Sequence, residues 1–261
     1  MNNVRFYGNR PYSVAVIHGG PGEPGEMAPV ARELSSDMGV LEPLQTKNTF
    51  EGQIKELHDV LQENADFPVI LIGHSWGAML GFIFTARYPE IVKKLVLIGS
   101  GPFEEKDADN ITPERLNRLT EAERIEAFHL IDIIDGSAAG DKNNAMARLG
   151  ELFAKADTWA PLPPGKSETL GASEEINRKV WAEAKKLRAS GELLELGKKI
   201  YCPVVAVHGD YDPHLAEGVR EPLSRALQHF RFILLEKCGH EPWLEKFARD
   251  KFFKILKNEL K

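Results

Sequence analysis

The sequence predicts an α/β fold in which a mostly parallel, doubly wound sheet carries an inserted helical cap. Short apolar, β-branched runs alternate with helix-like segments, a pattern typical of a parallel sheet covered by helices on both faces. The runs are continuously apolar, as expected for strands that are buried on both sides. The stretch from residue 102 to 199 breaks this rhythm, because it is helical and charged and contains no convincing strand.

The alternating segments can be placed in order along the chain. Strands are predicted at 12–17, 39–41, 67–72, 95–98, 203–207 and 231–235. Helices are predicted at 26–36, 50–65, 78–87, 215–229 and 243–260, the second from apolar residues at a helical period. This organisation predicts a core formed by residues 1–101 and 200–261, with residues 102–199 inserted as the helical cap.

Length and composition exclude several classes of protein. The chain has 261 residues, 43% apolar and 28% charged, which suits one soluble domain with an insertion. Its net charge of −6 comes without a Lys/Arg block, so neither a nucleic-acid partner nor a membrane surface is expected. No apolar leader and no run near the ~18 residues of a membrane span is visible. Cys202 and Cys238 are therefore expected to be reduced thiols of a cytoplasmic protein.

One pentapeptide stands out, Gly73-His74-Ser75-Trp76-Gly77, between a predicted strand and a predicted helix. A serine at the apex of a strand–turn–helix is a nucleophile elbow. The turn strains the serine backbone, and the flanking glycines let the strand and the helix approach closely. His74 is expected to pack beneath the turn.

A nucleophilic serine needs a base, and the base needs a group to orient it. His240, beside Gly239, follows the last predicted strand, and Asp210 and Asp212 follow the strand before it. Both loops belong to the carboxyl edge of the sheet, where open parallel sheets bind ligands, and the order Ser, acid, His is that of an elbow enzyme. Asp212 is preferred as the acid because Asp210 could cap the turn; His214 is an alternative base.

The oxyanion of an acyl-transfer intermediate needs preorganised N–H donors. The amide of Trp76, directly after the serine, is the first candidate. Gly20, in the loop His18-Gly19-Gly20-Pro21-Gly22 after the first predicted strand, is the second. A plain tight turn is the alternative interpretation of this loop.

Together these motifs resemble the α/β-hydrolase superfamily over the chain outside the cap. In that superfamily the acid loop often has a second acid that is catalytic, which implies Asp212. His-Gly-Gly-Pro-Gly combined with Ser-Trp-Gly is similar to prolyl iminopeptidases, which remove an N-terminal proline and recognise its amine with acidic groups of the cap. The chain differs from them at His74 and at residues 42–48, where their Asp-x-Arg-Gly-x-Gly-x-Ser segment is absent.

The leading functional hypothesis is a serine hydrolase that cleaves a small carboxylic ester or amide through Ser75, His240 and Asp212 and an acyl-enzyme. It needs no cofactor and no metal, and its expected partner is a small-molecule substrate; the oligomeric state is left open. A prolyl iminopeptidase-like aminopeptidase is the alternative. Lyase or C–C hydrolase chemistry on the same residues, and a non-catalytic binding protein on the same fold, also stay open.

Two further site hypotheses concern the cap and the acid loop. The aromatic residues Phe103, Trp159 and Trp181 could line a substrate pocket or pack the cap onto the core. The segment 208–214 could serve a metal-dependent hydrolase, because its alternate positions carry four potential ligands. These ligands are His208, Asp210, Asp212 and His214.

Overall fold

A computed structural model describes residues 3–163, 168–171 and 173–261. Its seven strands form one sheet in the order β1-β3-β2-β4-β5-β6-β7, in which every neighbouring pair is parallel except β1 with β3. The strands are β1 Val4–Tyr7, β2 Tyr12–Ile17, β3 Gly39–Pro43, β4 Val69–His74, β5 Val92–Ile98, β6 Val204–Gly209 and β7 Phe230–Leu235. The predicted mostly parallel sheet is confirmed.

Helices cover both faces of this sheet. The helices of the described residues are α1 Ala28–Leu34, α2 Phe50–Asn64, α3 Trp76–Arg87, α4 Ile111–Asn117, α5 Glu121–Asp135, α6 Lys142–Ala156, α7 Glu174–Ala189, α8 Glu192–Glu195, α9 Glu217–Ala226 and α10 Arg249–Glu259. Leu71 packs with residues of α2, α3 and α9 on one face, whereas its neighbour Ile72 packs with residues of α1 and α10 on the other. Alternate strand residues thus enter two separate cores, which confirms the doubly wound architecture.

Some element boundaries differ from the sequence-based ones. Strand β1 was not predicted, because it is an edge strand in which Val4 is buried and Phe6 is exposed, so it lacks the continuous apolar run of a central strand. The last helix begins at Arg249, not at residue 243, since Pro242–Leu244 forms a separate 3-10 turn. His229, placed at the end of a helix by its sequence, lies beyond the end of α9.

Between β5 and β6 the described residues form helices α4 to α8 and no strand. Helices α4, α5 and α6 share a small apolar core of their own, which includes Leu116, Leu130 and Leu152. Helix α7 instead contributes Val180 and Ala184 to the core beneath α2 and α3. The division at residues 102 and 199 stays a prediction, and residues 164–167 and 172 of that cap lie outside the described part.

Two general features accompany this fold. Within the described residues, no helix has both the length and the apolar character needed to cross a bilayer. Cys202 and Cys238 are free thiols, and burial raises the pKa of both, in Cys202 to about 11. Both thiols are therefore protonated near neutral pH.

Candidate active site

Ser75 lies in a strained turn between β4 and α3. Its backbone has φ 51° and ψ −113°, a region that non-glycine residues rarely adopt. A Cβ on Gly73 would lie 2.1 Å from the carbonyl oxygen of Gly77, and one on Gly77 would lie 2.2 Å from that of Ile17. Glycine is therefore required at both positions, as the elbow motif implies, because β4, α3 and β2 meet there with no room for side chains.

His240 and Asp212 are hydrogen-bonded at the carboxyl edge of the sheet, in the loops after β7 and β6. Nδ1 of His240 lies 2.8 Å from Oδ2 of Asp212. With Nδ1–H donating to the carboxylate, Nε2 is the free base nitrogen. Burial disfavours the imidazolium, but the charge and hydrogen bond of Asp212 outweigh it and raise the pKa of His240.

Two residues at the end of β5, Ile98 and Gly99, lie between Ser75 and this pair. The amide of Ser75 donates to the carbonyl of Ile98 at 2.9 Å. At the next residue, Gly99, a Cβ would lie 2.8 Å from the carbonyl oxygen of His240 and 3.3 Å from Oδ2 of Asp212. Gly99, with φ +49°, was missed by sequence reasoning because nothing local marks it.

His74 packs beneath the turn, as expected, and also makes polar contacts. Its Nε2 donates to the carbonyl of His240 at 3.1 Å, and its ring lies 4.6 Å from the His240 ring. Its Nδ1 lies 2.9 Å from Oε1 of Glu26. His74 therefore joins the elbow, the loop of His240 and the loop after β2.

Asp210 and Asp212 have different surroundings. Asp210 is exposed and accepts a hydrogen bond from the amide of Cys238 at 3.1 Å, a bond to the loop of His240 and not the local turn cap considered for it. Asp212 is buried against His240, so the geometry favours Asp212 as the acid. Burial opposes its charge, but the imidazoles of His240, His214 and His208 hold the pKa of Asp212 well below its usual range.

The metal hypothesis required four ligands of segment 208–214 to converge, and they do not, because Asp210 turns toward Cys238. Ligand atoms of Asp212, His214 and His240 do lie within 4.8 Å of one another. Both carboxylate oxygens of Asp212, however, are 2.8 Å from an imidazole nitrogen. These are hydrogen-bond distances, and they fit an acid–base pair.

In the loop after β2, one of the glycine amides already donates a hydrogen bond within the protein. The amide of Gly19 donates to Oε2 of Glu26 at 2.5 Å. Nε2 of His18 accepts from the amide of Gln45 at 3.1 Å, which leaves Nδ1–H to donate to the carbonyl of Gly19 at 2.8 Å; burial lowers the pKa of His18 and keeps it neutral. Gly20, at φ +104°, stays the predicted donor of this loop.

Trp76 is the first residue of α3. Amides of the first helical turn have no acceptor inside the helix, so the amide of Trp76 is suited to an external oxygen. The Trp76 indole is fully buried and donates to Oε1 of Gln53 at 2.8 Å. Its role as an oxyanion donor, like that of Gly20, stays a prediction.

Three acidic side chains that sequence reasoning missed surround the loops of the site: Glu23, Glu26 and Glu241. Burial, and then the charge of Glu26, raises the pKa of Glu23 to about 7 and that of Glu241 to about 8. The pKa of Glu26 itself is lowered, because contact with His74 outweighs its burial. Their signal in the sequence is weak: two follow the glycine loop, and one follows His240.

The three cap aromatics lie in different environments. Phe103 is fully buried against Phe82, with ring centroids 4.9 Å apart, as the packing alternative expects. Trp181 is half-buried with its ring 5.7 Å from that of Trp76. Trp159 is 49% exposed and packs edge-on against Tyr211, the neighbour of Asp212. Trp159 is therefore the most available of the three to a ligand.

The cap region also contacts the loop of His240. The carbonyl of Asp157 accepts from the amide of His240 at 2.9 Å. The buried carboxylate of Glu245 accepts from the amides of Gly239, Trp159 and Ala160 at 2.7, 2.7 and 2.8 Å. Sequence reasoning gave no indication of these bonds.

Comparison with known proteins agrees with this architecture. Residues 33–247 match a family model described as alpha/beta hydrolase fold. The pimeloyl-[acyl-carrier protein] methyl ester esterase of Neisseria meningitidis is 26% identical over 75% of this chain and 59% of its own length. Among solved structures, VinJ gives a TM-score of 0.68 at 19% identity, and the proline iminopeptidase of Mycobacterium smegmatis gives 0.62 at 16%; each covers 98% of this chain and 93% of its own.

The fold and the matched span define the class: the chain belongs to the α/β-hydrolase family. The predicted family and fold are confirmed; membership of this family supports the predicted enzyme class, a serine hydrolase of the esterase type, which stays a prediction for this chain. The chain spans about three fifths of the length of the first of these relatives. At below 25% identity, the two solved structures share the fold alone.

Proposed function

We propose that this protein hydrolyses a small carboxylic ester through Ser75, His240 and Asp212. The observation that carries the proposal is the 2.8 Å bond between His240 and Asp212, next to a serine with a strained backbone. Support for an ester comes from the relative that is named as a methyl ester esterase.

In this mechanism Oγ of Ser75 attacks the ester carbonyl while Nε2 of His240 takes the hydroxyl proton. Asp212 orients the ring of His240 and stabilises the imidazolium. The amides of Trp76 and Gly20 hold the oxyanion. His240 then protonates the leaving alcohol, and water activated by the same nitrogen hydrolyses the acyl-enzyme.

The test is hydrolysis of p-nitrophenyl esters of increasing acyl length, together with labelling by a fluorophosphonate probe. Ser75→Ala should lower kcat by about 10⁴-fold or more and abolish labelling. Ser137→Ala, an exposed serine in the cap region, is the matched control and should behave like the wild type. Full activity in Ser75→Ala, or a label on another serine, would refute the proposal.

A second candidate function is an aminopeptidase, favoured by the carboxyl groups of Glu23 and Glu241 near His240. Such groups could bind the ammonium group of an N-terminal residue. Proline and alanine arylamides, assayed beside the esters on the same enzyme, separate the two functions. If the protein is an esterase, its kcat/KM should be higher for the esters than for the arylamides. A higher kcat/KM for the prolyl arylamide would identify it as an aminopeptidase.

A further inference from the structure

We propose that His214 is a positioning residue that orients both Asp212 and His240, an inference that rests on the proposed function of that pair. Oδ2 of Asp212 binds His240, and Oδ1 accepts from two donors of His214. These donors are Nδ1 at 2.8 Å and the backbone amide at 2.9 Å. A carboxylate bound through one oxygen can rotate about its Cβ–Cγ bond. Two donors on Oδ1 fix its plane and direct Oδ2 toward His240.

The imidazole of His214 also restrains the ring of His240 directly. The two rings are stacked, with centroids 4.6 Å apart and an angle of 26° between their planes. His214 thus contacts both members of the pair: it donates hydrogen bonds to Asp212, and its ring stacks on that of His240.

His214 is itself fixed to the sheet. Its carbonyl accepts from Nε2 of His208 at 2.6 Å, and His208 is a buried residue of strand β6. The same nitrogen lies 3.6 Å from Oδ2 of Asp212. The chain from β6 through His208 and His214 to Asp212 gives the acid a rigid support, which a freely mobile loop would not provide.

The charge state of His214 suits this role. Burial, together with the nearby positive charges of His240 and Arg115, lowers its pKa to about 4 despite the attraction of Asp212. His214 therefore stays neutral while His240 takes up a proton. The titratable or charged groups facing it are Asp212, His240, Arg115 and, behind it, His208.

Two substitutions separate the hydrogen bond from the stacking. His214→Asn keeps an N–H donor near the position of Nδ1 but removes the ring. His214→Phe keeps a ring but removes the donor. Since a carboxylate that loses a donor becomes more basic, His214→Phe should raise the pKa of His240 by about 0.5–1 unit, whereas His214→Asn should leave it within about 0.2 unit.

The pKa of His240 is read in two ways, from the acid limb of kcat/KM and from NMR titration of its ring protons. In His214→Phe, kcat should fall about 10-fold or more with KM changed less than about 3-fold; His129→Phe, on the exposed face of α5, should match the wild type. Equal losses of kcat in His214→Phe and His214→Asn, without a shift in the pKa of His240, would show a merely structural role and overturn the inference. The NMR titration needs no turnover, so it tests His214 even if the proposed esterase activity fails.

Discussion

The two sides of the candidate site are built in different ways. The serine side, formed by β4, Ser75 and the start of α3, is fixed by backbone atoms that approach at the glycines flanking the serine. The histidine side, formed by loops 210–214 and 238–245, also has close backbone approaches at Gly209 and Gly239, but it depends in addition on side-chain hydrogen bonds and on contacts with the cap region. The serine side is therefore part of the core, whereas the histidine side depends on residues of the inserted segment.

Arginine side chains strengthen that dependence. Arg118 of the segment after α4 donates to the carbonyl of Tyr211 at 2.7 Å, and its guanidinium lies 3.8 Å from the centre of the Tyr211 ring. Arg115 binds both carboxylate oxygens of Asp157, whose carbonyl accepts from the amide of His240. Movement of α4 and of the segment after α6 would therefore displace the acid and base loops, whereas α7 packs on the serine side, where Trp181 contacts Trp76.

The largest effect is expected on the serine side, from Gly77→Ala. The new Cβ would lie 2.2 Å from the carbonyl oxygen of Ile17, and backbone atoms of a central strand cannot move away. The free energy of unfolding should fall by at least about 3 kcal/mol, measured by chemical denaturation. Gly150→Ala is the control, since a Cβ there meets open space on helix α6; it should stabilise slightly. Equal effects of the two substitutions would contradict a serine side held by backbone contact.

The serine side is also the part that the sequence predicts well. Its strand is a continuous apolar run, and its turn carries glycines at fixed spacing, so the signal lies within ten residues of Ser75. His240 and Asp212 were found by chain order and loop position. Strand β1 was missed because an edge strand with an exposed Phe6 lacks that pattern.

The supports of the histidine side could not be predicted, because they join residues far apart in sequence. Glu245 binds the amide of Trp159 across 86 positions. The sequence suggested His214 as an alternative base, whereas in the structure it contacts both Asp212 and His240. Such roles depend on which loops meet in space, and no local period or spacing encodes that.

A smaller effect, confined to the histidine side, is expected from Glu245→Gln. The amide can accept at one end but presents N–H groups at the other, so at least one of the three bonds to Gly239, Trp159 and Ala160 is lost. The free energy of unfolding should fall by about 1–3 kcal/mol. Amide hydrogen exchange should rise in segments 157–162 and 238–246 while segment 73–79 stays protected.

The exposed Glu236→Gln is the control and should change neither quantity. The contrast between the two sides fails if Glu245→Gln raises exchange in segment 73–79 as much as in the two segments that Glu245 joins. It also fails if exchange is unchanged throughout, since the carboxylate would then not hold the cap region to the loop of His240.

The smallest effect is expected on the histidine side at Glu241, which follows His240 and is influenced by the charges of Glu26 and Glu23 in the segment after β2. Burial, then the charge of Glu26, raises the pKa of Glu241 to about 8. A carboxyl group with a raised folded-state pKa contributes stability below its unfolded pKa of about 4.5, and this contribution is lost as pH rises toward 8. Because Glu241 is only half-buried, solvent screens much of this cost, and Glu241→Gln, neutral at every pH, should gain about 1 kcal/mol over the wild type between pH 5 and pH 8. Denaturant unfolding at both values measures this gain; parallel pH dependences of variant and wild type would mean that Glu241 is ionised and solvated in the folded protein.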